Sequence, residues 1–343
     1  MSYALSGFLT VMAGCLLWGC GVDATNASSQ GVGNASSGIL VVSSDYQSTS
    51  IAALSNEGEI VSEQIVSSGS AKPGLSAALS GDAVLPTTVS GEEAVVIDRS
   101  ASAVLSWLNL KTAKVRAQLS VATGFFSNPH DYVPISTGKA YVTRFSPNLD
   151  QDQEPYGSGH DVLIVDPRVP KITGQINLMP VVRVADPVAS ATAATAPTLY
   201  PMPDRAVLWN GLAQVLVVVF DASFRKRADS KLVSIDPTTD EIVGVHVFNG
   251  LTSCSTLALS PSKNQMAVGC NGAFNQDPSS HFPDSGIVLL QPNGNGVDEV
   301  ARYAAADLGG EQISSLSYAS EDHILFTSYG RFSADLSKVA APD

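Results

Sequence analysis

A unit of three short β-branched runs, separated by turn residues and repeated along the chain, constrains the fold more than any other feature. One copy reads Lys139-Ala140-Tyr141-Val142-Thr143-Arg144-Phe145, a loop, Asp161-Val162-Leu163-Ile164-Val165-Asp166-Pro167, a turn, then Ile172-Thr173-Gly174-Gln175-Ile176-Asn177-Leu178. Another runs over 215–221, resumes at Lys231-Leu232-Val233-Ser234-Ile235-Asp236-Pro237 and ends with Glu241-Ile242-Val243-Gly244-Val245-His246-Val247. Further copies occupy 94–98, 103–110 and 114–121; 266–270, 285–292 and 298–303; and, at the start, 39–43, 49–54 and 60–66. The turn after the middle run falls near 54, 110, 167, 237 and 292, a period of roughly 55–60 residues with one longer insertion. Short β-branched runs bounded by Gly, Pro, Asn and Asp read as strands, and helical periodicity is almost absent from Gly38 onward.

Each full unit also carries an earlier apolar run, at 75–79, 131–135, 206–209, 256–260 and 313–318. Four antiparallel strands per unit, none able to cover its own faces, is the signature of a β-propeller. The runs Lys139-Ala140-Tyr141-Val142-Thr143 and Leu232-Val233-Ser234-Ile235-Asp236-Pro237 resemble the YVTN-type propeller repeat of bacterial surface and periplasmic proteins. The resemblance implies an all-β chain, a propeller of about six to seven four-stranded antiparallel blades over residues 38–343. The first copy lacks its innermost strand and the last, over 313–339, has two clear strands, so the C-terminal strands are expected to complete the N-terminal blade. A β-sandwich pair or a solenoid is the rival architecture. Repeats of this kind imply a fold and no particular chemistry.

The first 37 residues read differently. An apolar stretch over 3–17 has the length of an export signal and is short for a membrane span. It closes on Leu16-Leu17-Trp18-Gly19-Cys20, which resembles the lipobox of bacterial lipoproteins. A rival site, Met12-Ala13-Gly14-Cys15, would leave Leu16, Leu17 and Trp18 on the mature chain, so lipidation is expected at Cys20. Residues 21–37, nearly all Gly, Ser, Asn, Ala and Gln, bury no apolar surface and make a flexible tether. The organisation is then a lipoprotein signal peptide at 1–20, a tether at 21–37 and the propeller domain at 38–343. Gly21, where inner-membrane lipoproteins of proteobacteria carry Asp, implies by the same resemblance a lipid-anchored protein of the outer membrane in the cell envelope. One acyl chain holds a membrane only marginally, which implies the multiply acylated cysteine of that family.

Composition excludes one class of partner. Lys and Arg total 19 against 32 Asp and Glu, a net charge of −13, and such a surface repels phosphate backbones, so no nucleic acid is expected. The four cysteines include Cys254 and Cys270, which flank two apolar runs joined by Pro261-Ser262-Lys263-Asn264. Folding the segment as a hairpin sets the two opposite one another within a residue, inside disulfide reach in an oxidising compartment.

In a propeller the start of each innermost strand and the end of the next lie on one face. That gathers Asn128, His130, Asp131, Asp204, Arg205 and Gln312 with Arg99, Arg144, Asp221 and Asn271 at the channel mouth, the default ligand site. For each residue taken singly the competing reading is a blade-to-blade ion pair or a turn cap. His130-Asp131 could act as a general base or metal ligand, although adjacent strand residues face opposite ways. The loop from Asp150 to Asp161 places oxygens of Asp150, Asp152, Glu154 and Asp161 at positions 1, 3, 5 and 12, as a Ca²⁺ loop does, with Pro155 where the turn glycine belongs. A solvated acidic loop is the alternative. No nucleophile elbow, phosphate-binding glycine loop or zinc signature occurs.

Three functions fit these observations. The leading one is an envelope lipoprotein, held at the membrane by its lipid, whose propeller binds or scaffolds a protein, a glycan or a small ligand. A lactonase-like propeller hydrolase would need carboxylate and Asn ligands for a divalent metal at the channel, where Arg99, Arg144 and Arg205 would repel one. An outer-membrane assembly factor would resemble the propeller lipoprotein of the barrel-assembly machinery, whose tryptophan docking positions Trp107 and Trp209 alone do not reproduce.

Overall fold

The computed structural model describes residues 38–70, 75–89, 91–99, 102–150, 154–183, 198–273 and 282–329, with the backbone of two further short strands. Alternating β-branched runs become strands because successive side chains point to opposite faces of a pleated sheet. The first sheet holds β1 (Ile39–Ser44), β2 (Thr49–Leu54) and β3 (Ile60–Ser67). The second holds β4 (Ala83–Val84), β5 (Glu93–Asp98), β6 (Val104–Asn109) and β7 (Lys114–Ser120). The third is β8 (Pro129–Ser136), β9 (Lys139–Arg144), β10 (Asp161–Asp166) and β11 (Lys171–Asn177), and the fourth is β12 (Leu199–Trp209), β13 (Leu212–Asp221), β14 (Arg227–Asp236) and β15 (Glu241–Val247). The fifth contains β16 (Cys254–Leu259), β17 (Met266–Cys270), β18 (Gly286–Asn293) and β19 (Gly296–Ala304), and the sixth β20 (Gln312–Ser320) and β21 (His323–Tyr329). All pairing is antiparallel and sequential.

The core lies between sheets. Period-2 alternation sends neighbours on one strand to opposite seams: on β13, Val215 and Val217 pack toward the third sheet while Leu216 packs toward the fifth. On β5, Val95 and Ile97 face the third sheet and Val96 faces the first. On β17, Met266 and Val268 meet the fourth sheet and Ala267 meets the sixth. Each consecutive pair of sheets therefore shares one buried cluster, and no sheet has a core of its own. Radially stacked sheets that depend on their neighbours are the blades of a β-propeller.

Gly269 shows how closely the last blades approach: a Cβ there would lie 2.5 Å from Thr256 Cγ2 and 3.0 Å from Leu316 Cδ2. At one end of the strands the turns are tight. Asn210 and Gly211, with φ of 51° and 79°, join β12 to β13 as a two-residue Asn-Gly hairpin. Longer links between second and third strands, and from one blade to the next, emerge at the other end.

Two details differ from the sequence reading. The run over 75–79 forms no strand, and the innermost strand of the second blade is β4, eight residues further on at Ala83 by numbering. The reason is a tertiary contact: the Gln118 side chain accepts hydrogen bonds from the backbone N–H of Ser76 and Ala77 and donates to the Ala77 carbonyl, occupying groups a strand would need. At the C-terminus, β22 (Arg331–Phe332) and β23 (Val339–Ala340) pair with each other, and among the described residues the first sheet has three strands, none of them C-terminal. No helix among the described residues is long and apolar enough to cross a membrane. The signal, the tether and Cys20 lie outside the described residues.

Candidate functional site

The innermost strands converge on a cavity of about 830 Å³. Its wall takes Thr87 just after β4, Val133 from β8, Arg205 from β12, Leu257 from β16 and Leu316 from β20, one residue or more from each of five blades. Ligand sites commonly have volumes of about 300–1,000 Å³.

Of the residues expected at the channel mouth, Arg205 alone is among the described residues that line this cavity; several of the others make bonds between blades. Asp131 is fully buried and ties three blades together. It accepts from Thr87 N–H at 2.9 Å, Thr87 Oγ1 at 2.5 Å and Ala206 N–H at 2.8 Å. Burial pushes its carboxyl up, against the opposing pull of the Arg205 charge and of these hydrogen bonds. His130 faces the other way, as strand alternation requires, and its Nδ1 lies 2.7 Å from Asp204 Oδ1 on β12. The imidazole stacks on Phe145, ring centroids 4.4 Å apart, and Phe145 in turn stacks on the exposed Phe224. His130 and Asp131 thus serve two separate contacts and do not form a dyad.

Arg205 lines the cavity and donates from one terminal nitrogen to the carbonyls of Leu85 and His130, at 3.3 and 3.2 Å. Gln312 donates to the carbonyls of Asn271 and Ala273, at 2.9 and 2.7 Å, closing the sixth blade onto the fifth. Asn128 holds a positive φ of 47° and its carbonyl accepts from Phe145 N–H, which fixes the entry to β8. Arg99 pairs with Asp82.

Asp221 and Arg144 bind within their own blades. Asp221 caps the β13–β14 hairpin, accepting from the N–H groups of Arg225 and Lys226 at 2.7 and 2.9 Å, and these bonds hold its carboxyl below the usual range. Arg144 is buried in the third blade, where its guanidinium binds both oxygens of Asp161, Thr123 Oγ1 at 2.5 Å and the Tyr156 carbonyl at 2.7 Å. Its planar fork lies over the Phe125 ring.

That pair also bears on the acidic loop. Asp161 turns inward to Arg144, whereas Asp150 and Glu154 are exposed, so the twelfth position of the Ca²⁺ pattern does not join the others. Asp152 lies outside the described residues. Among the described residues no group of three His, Cys, Asp or Glu side chains is disposed to hold a metal ion. Cys254 and Cys270 sit opposite each other on β16 and β17 and are joined as a disulfide.

The sequence reading missed the wall residues Leu208, Thr256, Lys263 and Ser317. The available signal was weak: wall residues such as Val133, Leu257 and Leu316 also belong to the seams between blades, so an apolar position on an innermost strand does not by itself mark the wall.

No protein-family model matches the chain, and neither does any curated protein sequence. Solved structures share its fold. Raptor of Chaetomium thermophilum aligns at 10% identity with a TM-score of 0.50, over 86% of this chain and 22% of that one. AztD of Citrobacter koseri aligns at 13% identity and a TM-score of 0.44, over 85% of this chain and 64% of that one. BamB of Moraxella catarrhalis aligns at 10% identity and 0.41, over 87% and 83%. The likeness is one of fold.

Proposed function

We propose that this protein is an envelope lipoprotein, anchored through Cys20, whose propeller binds its ligand in the axial cavity. The observation that carries the binding role is the convergence of five blades on one cavity of about 830 Å³. The carboxylates a metal-dependent hydrolase would turn toward that axis have other partners: Asp131 holds blades together, Asp204 pairs with His130 and Asp161 pairs with Arg144. Binding needs no such ligand set, only a concave wall with a few placed polar groups.

Two experiments test the two halves of this reading. Filling the cavity with Leu208→Trp and Ser317→Trp should abolish the fluorescence rise of the neutral dye N-phenyl-1-naphthylamine, with the far-ultraviolet dichroism unchanged; dye binding that survives the filling would place the site elsewhere. Replacing Cys20 by Ser should leave the protein unacylated and release it from the membrane fraction. Membrane retention of that variant would count against the anchor.

A further inference from the structure

The charge of the cavity wall runs against the charge of the molecule. The chain carries 32 acidic against 19 basic residues, yet the charged side chains on this wall are Arg205 and Lys263, with no carboxylate among the lining residues described. Arg205 is the better placed of the two. It is half-buried on β12, whereas Lys263 is an exposed residue of the β16–β17 turn. Among the described residues no carboxylate lies within salt-bridge distance of Arg205, although Arg99, Arg116, Arg144, Arg168, Arg227 and Arg302 each have such a partner.

The Arg205 bonds to protein are weak in kind. They run to neutral carbonyls at 3.3 and 3.2 Å from a single terminal nitrogen, Nη1. A guanidinium has five donors in a fixed fork, so the remaining edge can meet a carboxylate with two parallel bonds. Asp131 feels the Arg205 charge, but its oxygens already accept from Thr87, Ala206 and Tyr132. The rest of the wall is divided between apolar groups such as Val133, Leu257 and Leu316 and hydroxyls such as Thr256 and Ser317.

We infer that the axial cavity takes a small organic carboxylate with an apolar body, its carboxylate on the free edge of Arg205 and its body against the aliphatic wall. The inference rests on the cavity being the ligand site. A cationic ligand would meet Arg205 head-on, and a wholly neutral one would leave its remaining donors without the charge-assisted partner that a carboxylate supplies.

The test compares 4-phenylbutyrate with its neutral amide by calorimetry on the full-length protein, with injections into matched buffer as the blank. The acid should bind at least about tenfold more tightly than the amide, about 1.4 kcal/mol, and added salt should weaken the acid alone. Arg205→Gln should remove the preference and Arg205→Lys should keep part of it. Equal binding of acid and amide to the wild-type protein, absence of binding by the acid, or a preference that survives Arg205→Gln would overturn the inference. The comparison of acid with amide on the wild-type protein needs no variant and so still tests the inference if Arg205→Gln misfolds. If the dye is lost on filling the cavity but the acid shows no preference, the carboxylate inference falls and the cavity reading stands. If the dye survives the filling, the cavity reading itself fails.

Discussion

Asp131 shows most plainly what a single residue does here. A buried carboxylate is costly unless its oxygens are hydrogen-bonded, and this one is bonded by residues from the blades before and after its own. Asp131→Asn would turn one acceptor into a donor facing N–H groups. It should lower stability by about 1–3 kcal/mol in urea unfolding. The pH dependence has a definite sign. Burial raises the folded carboxyl above its unfolded value of about 3.9, so the stability this group contributes is complete below that value and is lost as pH rises through the folded one. The gap between wild type and Asp131→Asn should therefore narrow from about pH 4 upward. None of this was legible in the sequence. His130-Asp131 stood out there as an adjacent pair, while the partners that define their separate roles, Thr87, Asp204 and Ala206, lie 44 to 75 positions away.

At the scale of the strand, much more could be read in advance. Runs such as 161–166 and 231–236 became strands because β-branched residues suit a pleated, two-sided buried surface. The Asp that ends each run caps its turn: Asp166 accepts from Arg168 N–H at 3.0 Å and Asp236 from Thr238 N–H at 2.7 Å. These local bonds are why the repeat shows as a pattern of letters. The run over 75–79 misled because its apolar residues looked like a strand while the deciding partner, Gln118, lay on β7. The β16–β17 hairpin carried enough information to pair its cysteines, since turn length sets register. Its disulfide closes a loop of 16 residues, for which loop-closure entropy gives about 3 kcal/mol. Cys254→Ser with Cys270→Ser should lower the urea midpoint accordingly, and reductant should shift the wild-type midpoint and leave the variant's unchanged.

For the whole molecule, stability and site come from the same arrangement. Each blade leaves its two faces for its neighbours, so the buried clusters lie in the seams and the innermost strands are drawn toward one axis. The sequence indicated this repetition, including the missing innermost strand of the first copy and the two clear strands of the last. It could not indicate the cavity wall, because wall residues such as Val133, Leu257 and Leu316 also belong to the seams between blades. The sixth blade leaves Leu325, Phe326 and Tyr329 of β21 exposed, and among the described residues no buried cluster joins it to the first blade. The central claim is that distant segments share one axial cavity. Single cysteines at Thr88, Leu208 and Ser317, on three different blades, put it to the most direct test, by their rates of modification with a small thiol reagent in the presence and absence of N-phenyl-1-naphthylamine. The account predicts that the dye slows modification at all three positions together; protection at one position alone, or at none, would contradict it.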